Sequence, residues 1–164
     1  MIKYLKGDAT EPQGAGTKFI IHVVNDRGGW GAGFVLALSR KWKGPEQSYR
    51  KYSPLTLGQI QVVPVERHPG GVPYLYVVNM CAQTGYGRGN RNLHRTNEPD
   101  DQIPLRYDAL QTCLEQVAEE ATVLGAAIHA PRFGCGLAGG KWELVEPIIQ
   151  SALEDLPVFI YDLP

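Results

Sequence analysis

The sequence contains no long hydrophobic segment. No apolar run approaches the roughly 20 residues that a membrane-spanning helix needs, so we expect no association with a membrane. Residues 1–10 also lack the basic, then apolar, then small-residue order of a secretory signal peptide. These two absences predict a cytoplasmic protein.

Cysteine and histidine are scarce and scattered. The chain has three cysteines and four histidines, with no CxxC or HExxH spacing among them. They are Cys81, Cys113, Cys135, His22, His68, His94 and His129. An odd number of widely spaced cysteines argues against a disulfide framework and is typical of a reducing compartment. We therefore predict no metal ion and no bound cofactor.

The chain also has no excess of charge of either sign. Its 16 basic and 17 acidic residues give a net charge of −1, which excludes nucleic-acid binding by bulk charge but leaves a local basic patch open. Two nucleotide-binding fingerprints are missing as well. There is no GxxxxGK[ST] sequence of a P-loop NTPase, and Leu36 breaks the GxGxxG spacing that would begin at Gly31.

Glycine and proline are abundant instead, with 19 and 12 residues. Eight of the glycines lie in two loops, residues 28–33 and 134–140, and each loop follows an apolar run and precedes a helical pattern. Glycine lets main-chain N–H groups face a bound anion without an intervening Cβ, and the helix N-terminus adds a favourable dipole. We predict that both loops bind phosphate, although one loop alone would equally suit a tight turn.

Hydrophobic periodicity predicts that strands alternate with helices. The predicted strands are residues 2–6, 18–25, 59–66, 74–81, 126–130 and 158–161, and the predicted helices are residues 34–42, 45–52, 105–124 and 141–153. Gly125 should end the third helix, and Pro147 should kink the fourth helix or split it. The alternation predicts an α/β fold, a three-layer α/β/α sandwich with a mixed six-stranded sheet, in a single domain over residues 1–164.

Five short motifs occur in order along the chain. They are GDAT at residues 7–10, HVVN at 22–25, GWGAGF at 29–34, PRFGCGL at 131–137 and IYDL at 160–163. Together they resemble the macrodomain family, which binds ADP-ribose, over essentially the whole chain. The pattern is most similar to the branch that contains terminal ADP-ribose protein glycohydrolase and the macrodomains that remove ADP-ribose from DNA.

The resemblance implies a binding site for ADP-ribose. Asp8, Ala9 and Tyr161 would lie at the adenine, and Asn25 and Trp30 at the distal ribose. Main-chain groups of the two loops would hold the diphosphate. The loop residues implied in ligand binding are Gly31, Ala32, Gly33, Phe34, Arg132, Phe133, Gly134, Cys135, Gly136 and Leu137.

Several of these residues also have a structural explanation, which the sequence leaves open. Asp8 can cap a turn after the first strand, and Asn25 can close an Asx-turn. Trp30 can cover its loop, and Tyr161 can be a half-buried strand residue. Arg132 can hold its own loop instead of contacting a substrate.

The catalytic groups of the glycohydrolase are missing. The resemblance places Met80 or Cys81 and Ala138 where that enzyme has a catalytic lysine and aspartate, and these side chains cannot replace them. Cys135 as a nucleophile stays an alternative to its main-chain role. His22 lies in an apolar strand and is interpreted as a core histidine, with a supporting role in the site left open.

The function implied by the resemblance is hydrolysis of mono-ADP-ribose from an acidic side chain or from nucleic acid. A water molecule would attack the anomeric carbon, directed by Asn25, Asp26 and Gln83, although Asp26 is explained equally well as a solvated loop residue. Two alternatives stay open: a non-catalytic reader of ADP-ribose, and a phosphatase of ADP-ribose-1''-phosphate.

The expected partners are ADP-ribose and ADP-ribosylated macromolecules, and we expect a monomer. The polar segment 84–103 carries Arg88, Arg91 and Arg95 near Tyr86. Basic residues interleaved with an aromatic residue suit a nucleic-acid strand, so ADP-ribosylated DNA is a candidate partner. A solvated loop explains the same pattern.

Overall fold

The computed structural model describes residues 1–85, 103–136 and 138–164. Within these ranges, six strands and four helices follow one another in the predicted order. The strands are β1 (Ile2–Lys6), β2 (Lys18–Asn25), β3 (Ile60–Arg67), β4 (Pro73–Gln83), β5 (Ala127–Pro131) and β6 (Val158–Asp162). The helices are α1 (Phe34–Lys41), α2 (Gly44–Tyr52), α3 (Tyr107–Leu124) and α4 (Trp142–Ala152). Among the described residues, no helix is long and apolar enough to cross a membrane.

The sheet is mixed, as predicted, and has the strand order β1-β6-β5-β2-β4-β3. The edge strand β3 runs antiparallel to β4, and the other pairings are parallel. Because β2 lies between β5 and β4 and runs parallel to both, the carboxyl ends of these three strands meet at one edge of the sheet. The two glycine loops follow β2 and β5 at this edge, where open α/β sheets bind ligands.

Apolar side chains cover both faces of the sheet and confirm the predicted three-layer sandwich. Phe19 and Ile21 of β2 belong to a buried cluster that also contains residues of α3 and α4. Ile20 and Val24 belong to a second cluster with residues of α1 and α2. Alternate residues of β2 are therefore buried on opposite faces, as expected for a nearly continuous apolar strand in the centre of a sheet.

Helix α3 begins later than predicted, at Tyr107 instead of residue 105. Leu105 forms an antiparallel bridge with Gln83 at the end of β4, and its N–H donates to the carbonyl of Ala138 in the second loop (3.1 Å). Both partners are distant in sequence, so helical periodicity could not reveal them. The predicted end of the helix is confirmed, since Gly125 has φ 65° and its N–H bonds back to the last turn.

The predicted split of the fourth helix does not occur. Helix α4 is one helix that contains Pro147. Val145 and Ile149, on either side of the proline, are completely buried against the sheet. Packing of an apolar face supplies most of the stability of a helix in a protein, and here it outweighs the main-chain hydrogen bond that proline cannot donate.

The second glycine loop is closed by its own main chain. The N–H of Gly140 donates to the carbonyl of Gly134 (2.7 Å), and the N–H of Gly139 donates to the carbonyl of Gly136 (3.0 Å). A Cβ at residue 140 would overlap both the carbonyl oxygen of Gly134 and the side chain of Leu105. The loop therefore needs glycine at this position.

Replacing Gly140 by alanine should lower the free energy of unfolding by about 2–3 kcal/mol, because main-chain atoms must move to admit the methyl group. Gly136→Ala is the matched control. Nothing lies within 4 Å of a Cβ built at residue 136, so its effect should stay within about 0.5 kcal/mol. Urea unfolding followed by tryptophan fluorescence measures both variants, and equal stabilities would contradict the overlap.

Candidate ligand-binding site

A cleft with two adjoining chambers lies where β2, β4 and β5 end. The inner chamber, about 190 Å³, separates residues 32–35 of the first loop and α1 from residues 131–134 and 136 of the second loop. The outer chamber, about 550 Å³, lies against residues 28–32 and reaches Arg50 of α2. The residues that line both chambers are Val23, Ala32, Val35 and Gln83. The combined space is within the range of about 300–1,000 Å³ typical of small-molecule sites.

The side chain of Asn25 shapes the first loop. Its Oδ1 accepts the N–H groups of Arg27 (2.9 Å) and Gly29 (3.0 Å), and its Nδ2 donates to the carbonyl of Gly29 (2.9 Å). The hydroxyl of Tyr49 lies 2.9 Å from the same Oδ1 and accepts the N–H of Gly28 (3.1 Å). These bonds support the Asx-turn that the sequence left open, and contact of Asn25 with a ribose stays a prediction.

Helix α1 directs uncapped N–H groups toward the inner chamber. Gly33 precedes the helix with φ 80°, a conformation that favours glycine. Among the described residues, no side chain caps this helix, and its first turn contains no acidic residue. The N–H of Leu36 donates to the carbonyl of Gly33 (3.1 Å), whereas those of Phe34 and Val35 bond to no described residue, and the helix dipole makes this end positive. Since Phe34 and Val35 line the inner chamber, this wall can hold an anion.

The second loop forms the opposite wall of the inner chamber. Phe133, Gly134 and Gly136 line it. Burial raises the pKa of the Cys135 thiol to about 11, so this thiol is protonated at neutral pH and is a poor nucleophile. The main-chain role therefore suits Cys135 better than covalent catalysis. The predicted ligand residue Leu137 lies outside the described residues, as do the arginines of segment 86–102.

Arg132 lines the inner chamber and is held by side chains. Its Nε and Nη2 donate to the two carboxylate oxygens of Asp162 (2.7 and 3.0 Å). Its guanidinium lies 4.8 Å from the ring centroid of Tyr4 and 5.2 Å from that of Trp142. These contacts support the loop-holding role of Arg132, and a contact with substrate stays a prediction.

The three residues predicted to direct a water molecule lie together at the ends of β2 and β4. The side chain of Asn25 is committed to the loop, and Asp26 accepts the hydroxyl of Thr84 (3.2 Å) and the N–H of Gly85 (2.8 Å). Gln83 lines both chambers, and its side-chain amide has no hydrogen-bond partner within the described residues. Of the three, Gln83 is therefore the best placed to meet a ligand.

The residues predicted at the adenine are not among those that line the two chambers. The Oδ1 of Asp8 accepts the N–H and the hydroxyl of Thr10, both at 2.8 Å, which supports the turn-capping alternative. Ala9 is buried and Tyr161 is only 4% exposed, and the Tyr161 hydroxyl accepts the N–H of Gln13 (2.8 Å). Tyr161 thus anchors the segment after β1, and stacking on adenine stays a prediction.

Trp30 forms a wall of the outer chamber. It is 4% exposed, and its ring centroid lies 5.6 Å from that of His22 and 5.4 Å from that of Tyr49. Its Nε1–H donates to the hydroxyl of Ser39 (2.8 Å). Trp30 therefore packs into the core with one face, and shielding of a ribose by the other stays a prediction.

His22 lines the inner chamber although its sequence context predicted a core residue. It is 1% exposed, and its Nε2 lies 2.6 Å from the Oδ1 of Asn79. The amide of Asn79 is oriented by its Nδ2, which donates to Pro45 (3.1 Å) and Gln61 (3.0 Å). The imidazole therefore donates from Nε2, and Nδ1 is an acceptor. Among the described residues, this Nδ1 is the one buried side-chain nitrogen or oxygen without a partner.

Arg50 is a second lining residue that the sequence did not single out. Its only local signal is Glu46 four residues earlier, which forms an ion pair with it (2.8 Å) and is common on helix surfaces. In the part of the chain that the structure describes, no group of three or more His, Cys, Asp or Glu residues could hold a metal ion.

Solved structures share both sequence and fold with this chain. A macrodomain protein from Streptomyces coelicolor is 42% identical, with 99% of each chain covered and a TM-score of 0.77. The chain belongs to the macrodomain family. A protein of unknown function from Bacteroides thetaiotaomicron is 45% identical over 99% of this macrodomain and 98% of its own chain, with a TM-score of 0.85.

A more distant structure shares the fold of this macrodomain. It is DarTG from Thermosipho africanus in complex with ADP-ribose, 19% identical over 99% of this chain and 41% of its own, with a TM-score of 0.67. No family model matches the sequence.

Two curated relatives cover nearly the whole macrodomain. The mouse Chromodomain-helicase-DNA-binding protein 1-like is 30% identical over 99% of this chain, which spans only 18% of the mouse protein. The ADP-ribose 1''-phosphate phosphatase of Meyerozyma guilliermondii is 22% identical over 92% of this chain and 93% of its own.

The positions that the family resemblance assigns to a catalytic lysine and aspartate are apolar and buried in this macrodomain. Met80 and Cys81 are completely buried, and Ala138 is 4% exposed. Burial raises the pKa of the Cys81 thiol to about 12. None of the three can act as an acid, a base or a nucleophile at neutral pH.

Burial of His22 predicts a dependence of its charge and of stability on pH. Burial lowers the pKa of His22 to about 4, and of His129 likewise to about 4, from an ordinary value of about 6.5. The unfolded chain therefore binds more protons between these limits, and the free energy of unfolding should fall as the pH drops from about 6.5 toward 4. At pH 5 the loss should be about 2 kcal/mol for each histidine.

Imidazole nitrogen NMR measures the charge and the tautomer of His22 directly, with the exposed His68 in the same spectra as an internal control. We expect His22 to remain neutral, with its proton on Nε2, down to about pH 4. Protonation of His22 with a midpoint near 6.5, or a proton on Nδ1, would contradict the assignment.

Proposed function

We propose that this macrodomain binds ADP-ribose with the diphosphate in the inner chamber. The observation that carries the proposal is the pair of main-chain walls, the uncapped N-terminus of α1 and the second glycine loop. Main-chain N–H groups bind phosphate without basic side chains, in agreement with the net charge of −1. The shared fold with DarTG, which was solved with ADP-ribose, supports the same ligand.

In this arrangement the distal ribose occupies the outer chamber, where Trp30 offers an apolar face and Gln83 a polar group. The adenine lies beyond the opposite end of the inner chamber, near Asp8. One oxygen of Asp8 bonds to Thr10, which leaves the other to accept the adenine amino group. Tyr161 supports this region from below through its bond to Gln13.

We also propose that the macrodomain is a hydrolase that releases mono-ADP-ribose from a protein carboxylate or from a nucleobase. Water adds to the anomeric carbon, the bond from that carbon to the ester oxygen or base nitrogen breaks, and the leaving group takes up the water proton. Gln83 supports this proposal, because its side-chain amide, which has no partner in the described part of the chain, lines both chambers. Asn25 holds the N–H of Arg27 in the first loop, and Asp26 holds the N–H of Gly85 just after Gln83.

Two other functions are each favoured by one observation. The buried residues Met80, Cys81 and Ala138 favour a reader that binds ADP-ribose without cleavage. The relative named as an ADP-ribose 1''-phosphate phosphatase favours removal of a phosphate from the same carbon.

One set of assays separates these functions. The purified protein is incubated with a mono-ADP-ribosylated protein, a mono-ADP-ribosylated DNA and ADP-ribose-1''-phosphate, and ADP-ribose binding is measured by calorimetry. Release of ADP-ribose from either macromolecule supports the hydrolase. Binding without any release identifies a reader, and phosphate release identifies the phosphatase. Absence of ADP-ribose binding would overturn the proposal.

Gly136→Leu should weaken ADP-ribose binding about 100-fold, because the new side chain enters the inner chamber and prevents phosphate from reaching the loop amides. The open space around residue 136 should leave the fold intact. Gly70→Leu is the matched control, since residue 70 also has free space but lies in the β3–β4 turn. Calorimetry checks both variants, and wild-type affinity in Gly136→Leu would place the diphosphate elsewhere.

Gln83→Leu should reduce the rate of ADP-ribose release about 100-fold while changing the ADP-ribose affinity less than about 3-fold, because the amide is proposed to orient the attacking water. Single-turnover release and calorimetry separate the two effects. The exposed Gln111→Leu on α3 is the control. Unchanged release would remove Gln83 from the mechanism, and loss of affinity alone would make it a binding residue.

A further inference from the structure

A positively charged side chain lines the outer chamber and has no role in the proposed function. Arg50 of α2 lines this chamber, and 54% of its side chain is exposed. Its partner in the described part of the chain is Glu46, at 2.8 Å. An exposed ion pair one turn apart on a helix contributes little to stability, so stability alone does not explain a charge at this place.

A chain of hydrogen bonds orients the guanidinium of Arg50. The Nε1–H of Trp30 donates to the hydroxyl of Ser39 (2.8 Å), which donates to one oxygen of Glu46 (2.9 Å). The other oxygen of Glu46 accepts the Nε–H of Arg50 (2.8 Å). These bonds from Arg50 and Ser39 lower the pKa of the Glu46 carboxyl. Because Trp30 is buried and is itself a wall of the chamber, the chain ties Arg50 to a fixed part of the site.

The orientation leaves most donors of Arg50 unused. Within the described residues only its Nε–H is bonded, so the N–H groups of Nη1 and Nη2 are free. Two such groups in one plane match two oxygens of a phosphate. The next residue, Lys51, is also exposed but lies over the ring of Tyr52 (5.4 Å) and is not among the residues that line the chamber.

We propose that Arg50 binds a phosphate group on the far side of the distal ribose and gives the site a preference for substrates that carry one. The inference rests on the proposed function, since it requires the distal ribose in the outer chamber. Two sources present the same phosphate oxygens to the guanidinium: a phosphate on the anomeric carbon of free ADP-ribose, and the phosphodiester nearest to an ADP-ribosylated base in a nucleic-acid strand. An ester on a protein carboxylate carries no such group.

Calorimetry with matched ligands tests the inference on the wild-type protein, Arg50→Gln and the control Lys51→Gln, which removes one positive charge from the same helix. The first pair of ligands is ADP-ribose and ADP-ribose-1''-phosphate, and the second is an ADP-ribosylated nucleoside and an ADP-ribosylated oligonucleotide. We expect wild type to bind the phosphate-bearing member of at least one pair about 10-fold more tightly. Arg50→Gln should abolish that ratio without changing ADP-ribose affinity more than about 2-fold, and Lys51→Gln should keep it.

The outcomes separate this inference from the proposed function. The pair whose ratio depends on Arg50 identifies the source of the phosphate, and this ratio should fall as salt is raised because the contact is between exposed charges. Arg50→Lys should recover only part of the ratio, since an ammonium cannot pair with two oxygens in one plane. If ADP-ribose binds normally and neither ratio changes in Arg50→Gln, the role of Arg50 is overturned alone. If wild type binds no ADP-ribose, both proposals fail.

Discussion

The buried side-chain amide of Asn25 connects the central strand to the first glycine loop, and the direction of α1 depends on it. It bonds to both main-chain groups of Gly29 and to the N–H of Arg27, and Tyr49 of α2 lies against the same oxygen. Leaving one such buried polar group unpaired would cost about 1–3 kcal/mol. The loop therefore keeps a conformation in which the N-terminus of α1 faces the second loop.

Polar side chains at the strand ends act mainly by holding the main chain of this site in place, and less by contacting a ligand directly. Asn25, Asp26 and Asp8 each bond to main-chain groups within a few residues or just after the neighbouring strand. Short polar side chains do this readily, because their oxygens reach nearby N–H groups without much loss of rotamer freedom. Within the described residues, the groups that line the chambers and keep unused polar atoms include the loop amides, the Nδ1 of His22 and two longer side chains, Gln83 and Arg50.

The order and type of the elements could be predicted from the sequence because they follow from local patterns. The alternation of apolar runs with helical periodicity predicts the ten elements of the described residues, and the glycine loops mark the edge where the candidate ligand site lies. The errors concern long-range contacts. Leu105 bonds to β4 and to the second loop instead of belonging to α3. Burial of the residues on either side of Pro147 keeps α4 continuous. The position of Arg50 depends on how α2 packs beside β2, which no local pattern encodes.

The absence of a basic excess also has a physical explanation in this arrangement. Main-chain dipoles at α1 and in the second loop can bind a diphosphate while adding no formal charge. Arg132 also lines the inner chamber, and Asp162 balances its charge. Among the described residues, Arg50 is the charged one that lines the outer chamber, and Glu46 balances its charge in the free protein. The pair has no net charge at a distance, yet the N–H groups of Arg50 that no described residue uses are proposed to bind a phosphate that arrives with the ribose. A chain with a net charge of −1 can in this way bind an anionic ligand through main-chain groups that fit the shape of the ligand. The charged side chain of Arg50 then adds one local contact.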